Sequence, residues 1–362
     1  MYRRPLLESV CICAALLLSA PANAAWYKGN THTHSLNSDG NVAPDEVVRW
    51  YRGHGYQFVV MTEHEYITDV APLQALFGAQ EQFLVIQGQE LTQAVRDPKH
   101  PDGERQAHVN AINIGKVIMP MQDGTKSALS PRVYTVSEKV SIAETYTRNL
   151  GLIRAAGGVG QVNHPHVRWS VRTDDMLDLP DNTLFELWNG QLEINNLGGT
   201  DDSGQKALST EALWDTLLSR GKRLWGVAVD DSHGFTHLDE PNGAPPGQAW
   251  VMVRADRLAP ETIAASLAKG DFYASTGVAL DDVTASEKEI SIKIKTEIRP
   301  RVFSITRFVT RFIGRDGKVL AEVPGSQPKY TIRGDEGYVR AAIMDSNGRR
   351  AWTQPVYLPR TR

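Results

Sequence analysis

Phe58-Val59-Val60-Met61-Thr62-Glu63-His64 is an apolar run that ends on a histidine. A continuous run of β-branched and large apolar residues suits a strand covered on both faces, as parallel strands are. The same pattern recurs along the chain. Phe83 to Ile86 is followed by Gln87-Gly88-Gln89-Glu90, Gly158 to Val162 by Asn163-His164-Pro165, and Leu224 to Val229 by Asp230-Asp231-Ser232-His233. Val109 to Ile114 and Thr183 to Leu187 are further runs, and His108 stands before the first of these rather than after it. Between the runs lie helical stretches: Asp45 to Gly53 after Pro44, Ile142 to Ala156 after Ser141, and Thr210 to Arg220 before Gly221. They carry Pro or a capping residue at the start and Gly at or just past the end. Such alternation predicts an α/β fold, either a barrel or a doubly wound sheet.

The segment Asn30-Thr31-His32-Thr33-His34-Ser35 adds a His-x-His pair. In a strand, residues two apart share a face, so both rings point the same way and can ligate one metal. His64, Glu90, His164, Asp231 and His233 then fall at the carboxyl ends of the expected strands, where α/β folds place their sites.

The 362 residues, with 41% hydrophobic and 22% charged, suggest about two folded domains and exclude a disordered chain. A formal charge of −3 argues against nucleic-acid binding by general electrostatics. Residues 1–24 read as a cleaved export signal: Arg3 and Arg4, an apolar stretch to Ala20, then Pro21-Ala22-Asn23-Ala24. The stretch is short for a membrane span. The mature chain is therefore expected to be secreted and periplasmic, without a transmembrane segment. Both cysteines, Cys11 and Cys13, lie in that segment, so any metal would be held by nitrogen and oxygen, which suits Zn, Mn or Fe. After residue 284 the pattern changes. Residues 285–362 carry 16 Lys+Arg against 8 Asp+Glu, Glu289 to Lys295 alternates with period two, and Asp316-Gly317 and Asn347-Gly348 mark hairpin turns. This reads as a small antiparallel β module, a stabilising appendage whose basic face is solvated.

His32-Thr33-His34-Ser35, Ser38-Asp39-Gly40, Thr62-Glu63-His64, Gly88-Gln89-Glu90, His108, Asn163-His164-Pro165 and Asp231-Ser232-His233 together resemble the PHP (polymerase and histidinol phosphatase) metallohydrolase superfamily. The segments run in the family's order. Thr-Glu-His stands where Thr-Asp-His is usual, and Asp39 where several relatives have histidine and others aspartate. The resemblance implies a distorted (β/α)7 TIM-like barrel over residues 25–284, while the alternation over 285–362 predicts a C-terminal antiparallel β-sandwich-like domain. It also implies two to three divalent metal ions. His32, His34, Glu90 and Asp231 would hold the first, Glu90, His108 and His164 the second, and Asp39, His64 and His233 the third. Gly270 to Gly277 and Gly348 to Pro355 are similar to the secreted carbaryl-hydrolase-like branch.

Grouped cations activate water and neutralise charge growing on an attacked ester, so the expected activity is phosphomono- or phosphodiester hydrolysis. A carboxylic or carbamic ester hydrolase on the same centre is the alternative, and a non-catalytic metal-binding module a third reading. The expected partner is a small-molecule ester. Glu90 and Asp231 carry the chemistry in this reading, with Arg168 (and Arg172) clamping phosphate oxygens and His166 or His237 passing a proton to the leaving group. Thr62, Asn163 and Asp230 are expected to orient ligands. His54 and His100 read as surface residues, and Trp169 and Trp188 as core packing, with walling a pocket as the alternative.

Overall fold

The computed structural model describes residues 24–78, 82–121, 125–126, 135–200, 204, 206–236, 244–296 and 306–359. The expected signal segment, up to residue 23, and His237 lie outside them. The protein is a mixed α/β fold. A fourteen-stranded sheet carries five α-helices against it among the described residues. Its first part uses β1 (Ala25–Asn30), β2 (Phe58–Met61), β3 (Leu84–Leu91), β4 (Val109–Ile112), β5 (Val159–Val162), β6 (Thr183–Asn189), β7 (Leu224–Val229), β8 (Trp250–Ala255) and β9 (Phe272–Ser275). Hydrogen bonding runs β7-β6-β5-β4-β3-β2-β1-β8-β9. β7 also lies against β8 and β9. One apolar cluster gathers Phe58, Val60, Ile86, Ile112, Leu184, Val227, Val229 and Val251. Gly29 is required by close approach, since a Cβ there would lie 2.1 Å from the Phe58 ring.

The helices are α1 (Pro44–Gly53), α2 (Ala71–Phe77), α3 (Ile142–Ala155), α4 (Thr210–Ser219) and α5 (Pro260–Lys269); α1, α3 and α4 start as the sequence signals indicate, and α2 and α5 lie outside the expected helical stretches. α1 has Pro in its first turn, and Ser141 and Glu144 form a capping box at α3. No helix among the described residues is long and apolar enough to cross a membrane.

The expectation of parallel pairing throughout needs one correction. β1, β2 and β3 are mutually parallel, as are β5, β6 and β7, but β4 runs antiparallel to both β3 and β5. This reversal explains the odd position of His108. The amino end of a reversed strand lies at the edge where its neighbours have their carboxyl ends. A histidine before β4 therefore joins those that follow the other strands.

Beyond β9 the sheet continues into Arg350–Thr353, Tyr338–Asp345, Phe308–Gly314 and Lys318–Pro324, all antiparallel. A separate sheet of Leu280–Ala285, Glu289–Ile294 and Lys329–Thr331 shares a core with them. The period-two pattern is realised there: Ile290, Ile292 and Ile294 are buried beside Phe312, Val339 and Ile343.

Candidate metal centre

β1 stops at Asn30, so His32 and His34 lie beyond the strand rather than in it. Their alternation survives because Thr33 makes an isolated parallel bridge to Ser232, leaving the two rings 5.2 Å apart. Thr62 secures this bridge: its Oγ1 accepts from Thr33 N at 2.9 Å and donates to Thr33 O at 3.0 Å. A second bridge joins His64 to Glu90. Asp231 follows β7 with φ 51°, and His164 follows β5 with φ 21°. Non-glycine residues seldom occupy this left-handed region, and such strain gathers at functional sites.

The nine expected donors converge. Among the described residues they supply every group of three or more His, Cys, Asp or Glu side chains whose ligating atoms lie within 4.8 Å of one another. His32 Nε2 is 3.3 Å from Glu90 Oε2 and 3.2 Å from Asp231 Oδ1. His34 Nε2 is 3.4 Å and 3.3 Å from the same two atoms. Donors each about 2.0 Å from a tetrahedral cation lie about 3.3 Å apart, so each of these pairs can share an ion; the groups around His32 whose atoms all lie within 4.8 Å are His32 with His34 and Glu90, and His32 with His164 and Asp231. The other oxygen, Glu90 Oε1, faces His108 Nδ1 at 3.1 Å and His164 Nε2 at 3.4 Å. Asp39 lies 3.3 Å from both His64 Nε2 and His233 Nε2, forming the outermost cluster. Its side chain is 43% exposed, whereas His32 and His34 are fully buried. Buried His34 Nε2 and Asp231 Oδ1 have no hydrogen-bond partner among the described residues, which fits inward-facing atoms shaped for cations.

Charge coupling is strong. Burial alone would lower His32, but Asp231, Glu186 and Glu90 hold it well above its usual value. Burial also pulls on His64, yet Glu90 and Asp39 raise it to about 9. His34 is lowered by burial and then by His233 and His64, and His108 by burial to about 4. Burial would raise Glu90 and Asp231, but the surrounding imidazoles hold both carboxyls well below the usual range.

The partner that sequence reading missed is Glu186, in the middle of β6. Its Oε1 accepts from His32 Nδ1 at 2.6 Å and Gln161 Nε2 at 2.9 Å. Its Oε2 accepts from His164 N at 2.6 Å and Asn189 Nδ2 at 2.9 Å. A carboxylate inside the apolar run Thr183 to Leu187 was the available signal, because a buried charge needs partners. By fixing the His32 tautomer, Glu186 should orient that ring. Glu186→Gln is expected to weaken zinc binding ten- to hundredfold while the fold persists, as read by competition with a chromogenic chelator.

The other expected orienting residues divide. Asn163 donates to Glu90 Oε1 at 2.9 Å. Asp230 instead accepts from the backbone N–H groups of Gly247, Gln248 and Ala249 and from Tyr51, so it anchors a loop and touches no donor atom of the nine. Glu63 accepts from Ser35 N and from the hydroxyls of Ser35 and Ser38, tying down the turn that carries Asp39.

The remaining candidates lie apart from the donors. Arg168 is half exposed, and its guanidinium pairs with Asp102 at 3.4 Å; Arg172 is exposed and lies 3.8 Å from Asp97. His166 is buried and hydrogen-bonds Asn195 O through Nδ1 at 3.2 Å. His54 is exposed and stacks on Trp50. His100 corrects its surface reading: it is buried, and its Nε2 donates to Arg168 O at 2.9 Å. Trp169 and Trp188 line two different cavities, of about 390 and 490 Å³, rather than serving packing alone.

No family model and no curated protein matches the chain. A two-domain protein containing a predicted PHP-like metal-dependent phosphoesterase from Bacteroides vulgatus is similar in structure. It is 14% identical, the match covers 93% of this chain and 95% of that one, and the TM-score is 0.46. A candidate metal-dependent phosphoesterase from Bifidobacterium adolescentis is 16% identical, with 59% and 90% covered and a TM-score of 0.33. An amidohydrolase from Chromobacterium violaceum is 14% identical, with 58% and 88% covered and a TM-score of 0.34. The solved structures similar to this chain thus include one that contains a predicted PHP-like metal-dependent phosphoesterase and one described as a candidate metal-dependent phosphoesterase.

Proposed function

We propose that this chain is a PHP-type metal-dependent hydrolase that cleaves a phosphomonoester or phosphodiester. The observation that carries the reading is the placement of Glu90, whose two oxygens face two different sets of imidazoles. His32, His34, Glu90 and Asp231 would hold one cation, Glu90, His108 and His164 a second, and Asp39, His64 and His233 a third. When bound, the cations supply water activation and neutralise charge on the ester oxygens. The chain's own residues fix the geometry. Asn163 and the imidazoles restrain Glu90, Glu186 orients His32, and Glu63 holds the turn of Asp39. Asp39 and His233 are the most exposed donors, so the ester would approach from their side.

The reading takes residues 25–284 as a (β/α)7-type barrel, 285–362 as a sandwich-like module, and residues 1–24 as an export signal that sends the protein to the periplasm. Elemental analysis of the purified protein, then a panel of p-nitrophenyl phosphate, bis(p-nitrophenyl) phosphate and p-nitrophenyl acetate with Mn or Zn, tests it. Bound divalent metal with phosphate-ester turnover is the expected result. Turnover of acetate alone would move the assignment to carboxylic or carbamic esters, and metal loading without any turnover would make the module a binder.

A further inference from the structure

A cavity of about 390 Å³ opens on the loop that follows His164, and its lining has an unusual charge. Lys99, Arg168, Arg172 and Lys206 border it, and among the described residues no carboxylate does. Asp102 and Asp97 approach Arg168 and Arg172, at 3.4 and 3.8 Å, which leaves an excess of positive charge in a chain that is negative overall. The four cations come from three separate parts of the chain, so their meeting is a product of the fold. All four are exposed at the rim, while His100 and His166 are buried. The histidines have partners of their own in this arrangement. His100 donates from Nε2 to Arg168 O and accepts from Asp102 N, and His166 donates from Nδ1 to Asn195 O. They pin the turn. Arg168 and Trp169 both have left-handed φ values, 46° and 55°, a conformation that costs energy and is held here by His100 and by Arg105, whose Nε donates to Ser170 O at 2.7 Å. The remaining wall includes Trp169 and Leu208, which give it an apolar side.

We propose that this cavity is an anion subsite that receives the charged tail of an organic substrate. The tail's phosphate or carboxylate would meet Arg168 and Lys206, and its apolar stem would lie against Trp169 and Leu208. Guanidinium and ammonium groups bind such oxyanions through charge-assisted hydrogen bonds, and a partly enclosed wall screens them less than open solvent does. His166, on the cavity wall, follows His164 by two residues, so the chain itself connects the cavity to a donor of the metal centre. This deepens, and rests on, the hydrolase reading by naming a substrate class: a small ester that carries a second, permanently charged group.

The test reads binding rather than turnover, so it stands or falls separately from the ester panel. The chelator-treated full-length chain is titrated with phenylphosphonate, an unhydrolysable dianion on an aromatic stem, by calorimetry. Saturable binding near one equivalent is expected, weakened by added salt and at least tenfold weaker in Arg168→Asn/Lys206→Gln. Asn tolerates the left-handed backbone at 168, and Gln keeps the length at 206. If the double variant does not fold, Lys206→Gln alone, on an exposed side chain, must still weaken binding severalfold. Equal affinity in wild type and variant, or binding that appears only after metal is restored, would overturn the subsite. A second titration with methylphosphonate separates the stem from the charge: weaker binding than phenylphosphonate supports an organic tail, and equal binding would reduce the proposal to a free-phosphate site and overturn its substrate class.

Discussion

Glu90→Ala is expected to abolish metal binding at two of the three donor clusters and to remove hydrolytic activity with it. The side chain is 1% exposed and bonds to His108 and Asn163 through Oε1, while His32, His34 and His64 surround Oε2. No neighbour can replace a carboxylate that supplies one oxygen to each of two sites. Its loss also leaves several imidazoles without the negative charge that holds them together. Metal content of the purified variant should fall by about two equivalents against wild type, and ester turnover should drop by about a thousandfold or more, as for residues that assemble the reacting groups. Wild-type metal content in this variant would remove the bridging role. Glu90→Gln is the sharper control, since it keeps one oxygen acceptor and the shape but surrenders the charge. It should retain the outermost cluster of Asp39, His64 and His233.

The second large effect lies far from the metal centre. Arg340, on strand Tyr338–Asp345, is fully buried. Its Nε and one terminal nitrogen bind Asp215 of α4 bidentately at 2.7 and 2.6 Å, and its other terminal nitrogen lies 3.0 Å from Glu211. Tyr338 donates to the same Asp215 oxygen as Arg340 Nε, at 2.7 Å, and the guanidinium sits over Trp214 with 5.0 Å to the ring centroid. Removing one partner strands a desolvated charge. Arg340→Ala is therefore expected to cost about 3–5 kcal/mol in denaturant unfolding. Arg340→Met combined with Asp215→Leu should recover most of that loss, because no charge is then left buried alone. By the same reasoning, deletion of residues 285–362 exposes Asp215 and the apolar surface that Trp352 covers, and should give an insoluble chain. An unchanged unfolding midpoint in Arg340→Ala would show that the clamp carries no stability.

Much of the site is legible in one dimension because strands place it. A residue just beyond the carboxyl end of a parallel strand must lie at one edge of the sheet, so His64, Glu90, His164, Asp231 and His233 declare themselves through their spacing from apolar runs. His32 and His34 do so through period-two alternation, which a single bridge at Thr33 is enough to maintain. The C-terminal strands show the same economy. Glu289 to Ile294 alternates, and its isoleucines face the core.

Three features escaped that reading for physical reasons. The reversal of β4 depends on which neighbours it pairs with, and a four-residue strand carries no direction in its sequence. Glu186 sits in the sheet rather than at its edge, and only the approach of His32 and His164 gives its charge a purpose. Arg168 looked like a clamp by adjacency to His164, but the turn aims it at Asp102 and a neighbouring cavity.

Sequence alone determined which residue types can hold cations and, through strand periodicity, which edge of the sheet they occupy, because alternation and strand ends are local properties. Only the tertiary structure decided that the nine donors come within a few ångströms of one another, which buried carboxylate steers them, and that Arg340 locks the basic C-terminal segment to α4. Those outcomes depend on distances between residues tens to hundreds of positions apart, and no local pattern encodes them.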